Sequence, residues 1–97
     1  MNKLLLLNDI DLQQAFSAYL RQLREEEKLS REALAQRSSV PASTIKKFEL
    51  TGKISFRQLL LLWQSLDDLK RLYELTQVKP KDVAIPISIE EVLKNEL

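Results

Sequence analysis

Apolar side chains recur along this chain at spacings of three and four with polar ones between them, a pattern that is helical almost throughout. Leu12, Phe16, Tyr19, Leu20 and Leu23 form one such stripe, with Gln13, Ser17, Arg21 and Glu25 opposite. A first helix is expected from about Asp11, capped by Asp11 with Gln14 reciprocating, to about Lys28. Ser30 caps a second, short helix whose entry is stapled by Leu29 and Leu34. It must end near Ser38, because Pro41 follows closely and the residue before a proline is pushed out of the helical region. Pro41 opens a third helix where its missing N–H costs nothing, and Ile45 and Phe48 continue the apolar face begun by Val40. Ala42, Ser43, Lys46 and Lys47 are then left pointing outward. Gly52, the chain's single glycine, stands where a left-handed residue closes that helix.

Ser55 and Gln58 read as another capping box, ahead of a fourth helix that turns Phe56, Leu59, Leu60, Trp63 and Leu66 inward. Leu61 and Leu62 exceed the needs of that stripe. A fifth helix from Asp67 or Asp68 takes in Leu69, Leu72 and Tyr73. Pro80 and Pro86 break regularity across residues 77–86, which read as a linker. Beyond it, Ser88 with Glu91 and Ile87 with Val92 predict a last helix from about Ile89, with Glu90 and Glu91 where the helix dipole favours acids. A helix that short is not stable alone and has to dock on its own domain, on a second subunit or on another protein.

Composition narrows this to one all-α domain. Ninety-seven residues at 44% hydrophobic suffice for a single core, and one glycine with three prolines leaves few sites for tight hairpins. Residues 1–76 are expected to form the domain, with a recognisable core at 12–66, and residues 77–97 a linker and tail for dimer or partner contact. With no cysteine there is neither a disulfide nor a thiolate metal site, which suits a reducing compartment, and cytoplasm is the expectation. The apolar run at residues 4–7 is far short of the ~7–15 residues of a signal core. Without histidine or a glycine-rich loop, and with Glu25, Glu26 and Glu27 diverging around one helix, no enzyme, metal site or cofactor is expected.

Net charge is only +1, but it is unevenly spread. Residues 31–57 hold six cationic and two anionic side chains, a local +4, while both flanks are negative. Two short helices around a tight turn, carrying that charge, suit DNA: a major groove admits one helix, and the preceding helix braces it across the backbone. Ala42 and Ser43 would meet base edges, since a methyl can touch the thymine methyl and a hydroxyl can bond to several edges. Lys47 could reach guanine acceptors or a phosphate; Lys46, Lys53, Arg57 and Arg31 are better placed to neutralise phosphates. The same cations also read as a solvated face, and the fold would equally serve a module that binds only protein.

Over residues 20–66 the string LRQLREEEKLSREALAQRSSVPASTIKKFELTGK, followed by SFRQLLLLWQSL, resembles the XRE or lambda-repressor/Cro-type helix-turn-helix family. The resemblance implies a five-helix lambda-repressor-like fold, here with a C-terminal extension and short final helix. It places the family's small helix-two alanine at Ala35 and its core at Leu29, Leu34, Val40, Ile45 and Phe48. It also implies a structural ion pair between Arg24 and Glu49. Lys28 and Ser39 stand where the family often has glycine, so both turns should carry mild strain. The family's usual glutamine at the start of helix two is Arg31, which can still hold a phosphate. The later helices and the tail VAIPISIEEVLK resemble HipB-like antitoxins, implying a homodimer that represses at a palindromic operator of its own and engages a HipA-like toxin kinase or its companion subunit. A phage-type or general XRE repressor without a toxin partner is the alternative. Residues 4–7, Leu61, Leu62 and residues 85–89 are surplus apolar groups that could supply the dimer contact.

Overall fold

The computed structural model describes residues 6–78, which form five α-helices with no strand among them. They are α1 (Asp9–Glu26), α2 (Arg31–Ser38), α3 (Ala42–Thr51), α4 (Phe56–Leu66) and α5 (Leu69–Leu75). The all-α, five-helix lambda-repressor-like architecture is the one expected. Leu4, Leu5, the apolar residues 85–89 and the helix expected from Ile89 lie outside the described residues.

Three boundaries are written in local chemistry. Ser30 Oγ accepts from the Ala33 N–H at 3.0 Å, Asp68 caps α5 by accepting from the Lys70 N–H at 2.9 Å, and Gly52 closes α3 at φ +81 with its N–H on the Phe48 carbonyl at 2.7 Å. A Cβ at Gly52 would also stand 3.2 Å from the Gln13 carbonyl carbon, so the exit of α3 is pressed against the backbone of α1.

The start of α1 differs from the expectation. Asn8, not Asp11, is the cap: its side chain accepts from the Asp11 N–H at 2.8 Å, and the Asp11 carboxylate accepts from the Asn8 N–H at 3.3 Å. Asparagine caps as well as aspartate, and the earlier start puts Asp9 and Asp11 in the first turn, where the dipole favours them. Pro41 stands one position ahead of α3 as its N-cap, its carbonyl accepting from Thr44 and Ile45 at 3.0 Å each. Ser55 provides half a capping box: its hydroxyl accepts from the Gln58 N–H but donates to Gln58 Oε1, so that side chain does not return to the Ser55 backbone.

The core comprises Leu20, Leu34, Val40, Ile45, Phe48, Leu62, Trp63 and Leu66, drawn from α1, α2, the turn after it, α3 and α4. Here too the expected stripes shift. Leu62 is 1% exposed and belongs to the core, whereas Phe56 is 73% and Leu12 47% exposed. Helix α4 packs on both α1 and α2, which draws its buried arc toward Leu62, while Phe56 in its first turn lines an open recess with Leu12 and Phe16 of α1. Leu61 packs partly buried against the same core. Ser17, expected on the polar face, is buried; its hydroxyl donates to the Gln14 carbonyl at 3.0 Å and so reaches the interior without an unmet bond.

Trp63 is a core residue, edge-on to Phe16 at 5.7 Å and tilted on Tyr19 at 5.5 Å, with its indole N–H donating to the Asp68 carbonyl at 3.0 Å. Tyr19 donates to Asp67 Oδ2 at 2.5 Å, and Arg71 donates to that same oxygen at 2.7 Å, so α5 is clasped to α1 through polar groups.

Lys28 (φ 58) and Ser39 (φ 68) both adopt the left-handed region, the strain expected where the family carries glycine. Ser39 keeps its backbone bond to the Ala35 carbonyl at 2.8 Å whatever its side chain. Ser39→Gly is therefore expected to stabilise the domain by about 0.5–1 kcal/mol, the relief of the Cβ clash less the added freedom of the unfolded chain. Thermal unfolding checks it; a lower Tm would mean that the serine side chain has a role of its own.

Candidate nucleic-acid interface

One carboxylate ties the three helices of the motif together. Glu49, near the end of α3, has a side chain only 3% exposed and takes a two-pronged contact from Arg24 of α1: Nε to Oε2 at 2.7 Å and Nη2 to Oε1 at 3.0 Å. The remaining prong of Arg24 donates from Nη1 to the Leu29 carbonyl at 2.8 Å. Arg31, the first residue of α2, donates its Nε to Glu49 Oε1 at 2.9 Å. Sequence reasoning assigned Arg31 to phosphate alone and missed this second partner of Glu49, whose 18-residue separation leaves no local signal.

Burial pushes the Glu49 carboxyl upward, but hydrogen bonds from Arg24 and then Arg31, with their charges, outweigh it and hold the group below its ordinary 4.5. A depressed folded-state pKa adds stability above the unfolded-chain value, lost as pH falls through the depressed one. Stability is thus expected to be flat above about pH 5 and to decline in acid, and Glu49→Gln to flatten that decline. Denaturant melts across pH check it; an equally steep decline in the variant would assign the acid sensitivity elsewhere.

The remaining candidate residues fall around two adjoining recesses. The first, of about 570 Å³, is lined by Arg24, Ser30, Arg31, Glu32, Ala42, Ser43 and Lys46. The second, of about 430 Å³, collects Ser43, Thr44, Lys47, Lys53, Ile54, Ser55 and Gln58. Ser43, exposed in the first turn of α3, lines both and so stands on the ridge between them. Arg31 and Lys46 lie on one side of it, Lys47 and Lys53 on the other. Ala42 is half-buried, Lys46, Lys47 and Lys53 are exposed, and Arg57 is exposed but lines neither recess. Thr44 was not singled out from sequence, and Gln58 was read only as the capping partner of Ser55; a polar residue in the first turn of α4, facing the end of the α3–α4 loop, was the available signal for Gln58.

Two short helices around a left-handed serine, the second leading with small side chains between cationic recesses, define an XRE-like helix-turn-helix protein. The chain belongs to the helix-turn-helix domain family, whose sequence model matches residues 15–84. That domain points to a DNA-binding regulator. Searches of curated proteins and of solved structures each give no match. No helix among the described residues is long and apolar enough to cross a membrane.

Proposed function

We propose that this protein is a sequence-specific transcriptional repressor that binds a palindromic operator in its own control region as a homodimer. The observation that carries the reading is the ridge position of Ser43 between the two cationic recesses, which suits the start of α3 to base edges while phosphates lie to either side. In this reading Ala42 and Ser43 read bases, Lys47 reaches a guanine or a phosphate, and Arg31, Lys46, Lys53 and Arg57 neutralise phosphates. Arg24 and Glu49 are structural.

Residues 1–76 act as the DNA-binding domain and residues 77–97 as the dimer or partner segment. The resemblance of VAIPISIEEVLK to HipB-like tails favours an antitoxin role, with a HipA-like kinase or its companion subunit as partner. A helix-turn-helix monomer contacts few bases, and pairing supplies two half-sites about 34 Å apart. Exposed Leu6, Leu7, Ile10, Leu12 and Phe56, with the half-buried Leu61, supply apolar area for such a contact, whereas the core takes up Leu62.

A salt titration on the DNA upstream of the gene tests the reading. Affinity is expected to fall with a log–log slope of about 0.9 per phosphate neutralised. No binding at low salt would favour the protein-only module, and a monomeric sedimentation mass at micromolar concentration would remove the dimer.

A further inference from the structure

We infer that Glu49, besides joining α1 to α3, is a positioning residue for DNA binding: it holds the Arg31 guanidinium at the edge of the first recess, ready for a backbone phosphate. The inference rests on the DNA-binding reading above.

Arginine has five N–H donors in a rigid planar fork. Arg31 spends its Nε–H on Glu49 Oε1 at 2.9 Å, and its four Nη protons remain for a ligand. The side chain is 29% exposed and lines the recess with Ser43 and Lys46. Glu49 is itself immobilised, since Arg24 grips both of its oxygens and is anchored in turn on the Leu29 carbonyl. The series of contacts runs from the Leu29 carbonyl through Arg24 and Glu49 to Arg31, the most exposed of the three side chains.

Two further points favour a role in binding over packing alone. The Arg24–Glu49–Arg31 cluster keeps a net charge of +1, and the carboxylate is almost wholly covered, so a phosphate would meet the arginine and not the acid. A free arginine must also give up rotamer freedom to grip a phosphate, whereas one already held by its Nε has lost much of that freedom before DNA arrives. Without Glu49 the two guanidiniums would repel each other, and Arg31 would turn to solvent.

Duplex affinity and its salt slope, compared among wild type, Arg31→Ala, Glu49→Gln, the double variant and Arg31→Lys, test the inference. Arg31→Ala is expected to weaken binding about tenfold and to reduce the slope by about one. Glu49→Gln should weaken binding likewise, although it adds a positive charge to the cluster, and the double variant should be no weaker than either single one. Arg31→Lys keeps the charge at an exposed edge and should fold normally, yet lose several-fold in affinity because a lysine has no fork to be held. A slowly exchanging Arg31 Nε–H signal, seen by NMR without DNA and absent in Glu49→Gln, is the companion result. Full affinity in Arg31→Lys, or additive losses in the double variant, would overturn the positioning role while leaving DNA binding intact. Should Glu49→Gln not fold, Arg31→Lys and the wild-type Nε–H signal still decide. No duplex binding by the wild type would remove the DNA reading and this role together.

Discussion

Replacing Arg24 with alanine is expected to cost about 3 kcal/mol of folding stability, lowering the Tm by about 15 °C in a domain of this size. The substitution strands a carboxylate whose side chain is 3% exposed and leaves it only Arg31, itself at the surface, as a charged partner. It also removes the donor to the Leu29 carbonyl, which joins the end of α1 to the entry of α2. Breaking a buried pair from one side is costlier than never having built it, because the remaining charge has no water to return to. Arg24→Lys should lie between wild type and alanine, keeping the charge and losing the fork. Thermal and denaturant melts measure both; an alanine variant with an unchanged Tm would remove the pair from the account of stability.

Reversing the two α3 lysines together, Lys46→Glu with Lys47→Glu, is expected to abolish operator binding while leaving the fold intact. Both side chains are exposed, and neither makes an ion pair among the described residues, so little stability is at stake. One lines each recess, so the double reversal sets a negative charge against the DNA on both sides of Ser43. Each such juxtaposition costs several kcal/mol, so the combined loss of affinity should reach at least about 10³-fold. The measurement is duplex binding at low salt beside a melt of the same sample. A variant that keeps both its Tm and its affinity would move the DNA contact away from α3.

The features legible in the sequence are those settled within one turn of chain. Ser30 and Gly52 were recognisable as helix ends, and Asp68 as one of two adjacent candidates, because a cap bonds to a backbone two to four residues away. Lys28 and Ser39 were recognisable as strained only through the resemblance, since they stand where the family often has glycine. What eluded the pattern was settled between helices. A stripe of leucines says that α4 is buried, but whether Leu62 or Phe56 faces inward depends on which two helices lie beneath it. Ser17 carries no mark of burial in its own identity, since a serine can satisfy its hydroxyl on its own helix and sit on either face. In the candidate site, the outward Ser43 and the two lysines followed from helical spacing, and the Arg24–Glu49 assignment from family resemblance. The contact of Arg31 with that pair did not follow, because an arginine at a helix start is equally compatible with solvent, phosphate or carboxylate.

Gly52 bears on how this domain can change. Its left-handed backbone disfavours a side chain, and the Gln13 carbonyl carbon, 3.2 Å from where a Cβ would stand, leaves little room for one. A chain that exchanges Ser43, Lys46 or Lys47 to recognise a new sequence does so on a helix whose far end is clamped to α1. Its freedom to diverge is therefore one of side-chain chemistry at a set docking angle, and a relative that tilted α3 differently would first have to rebuild the contact behind it.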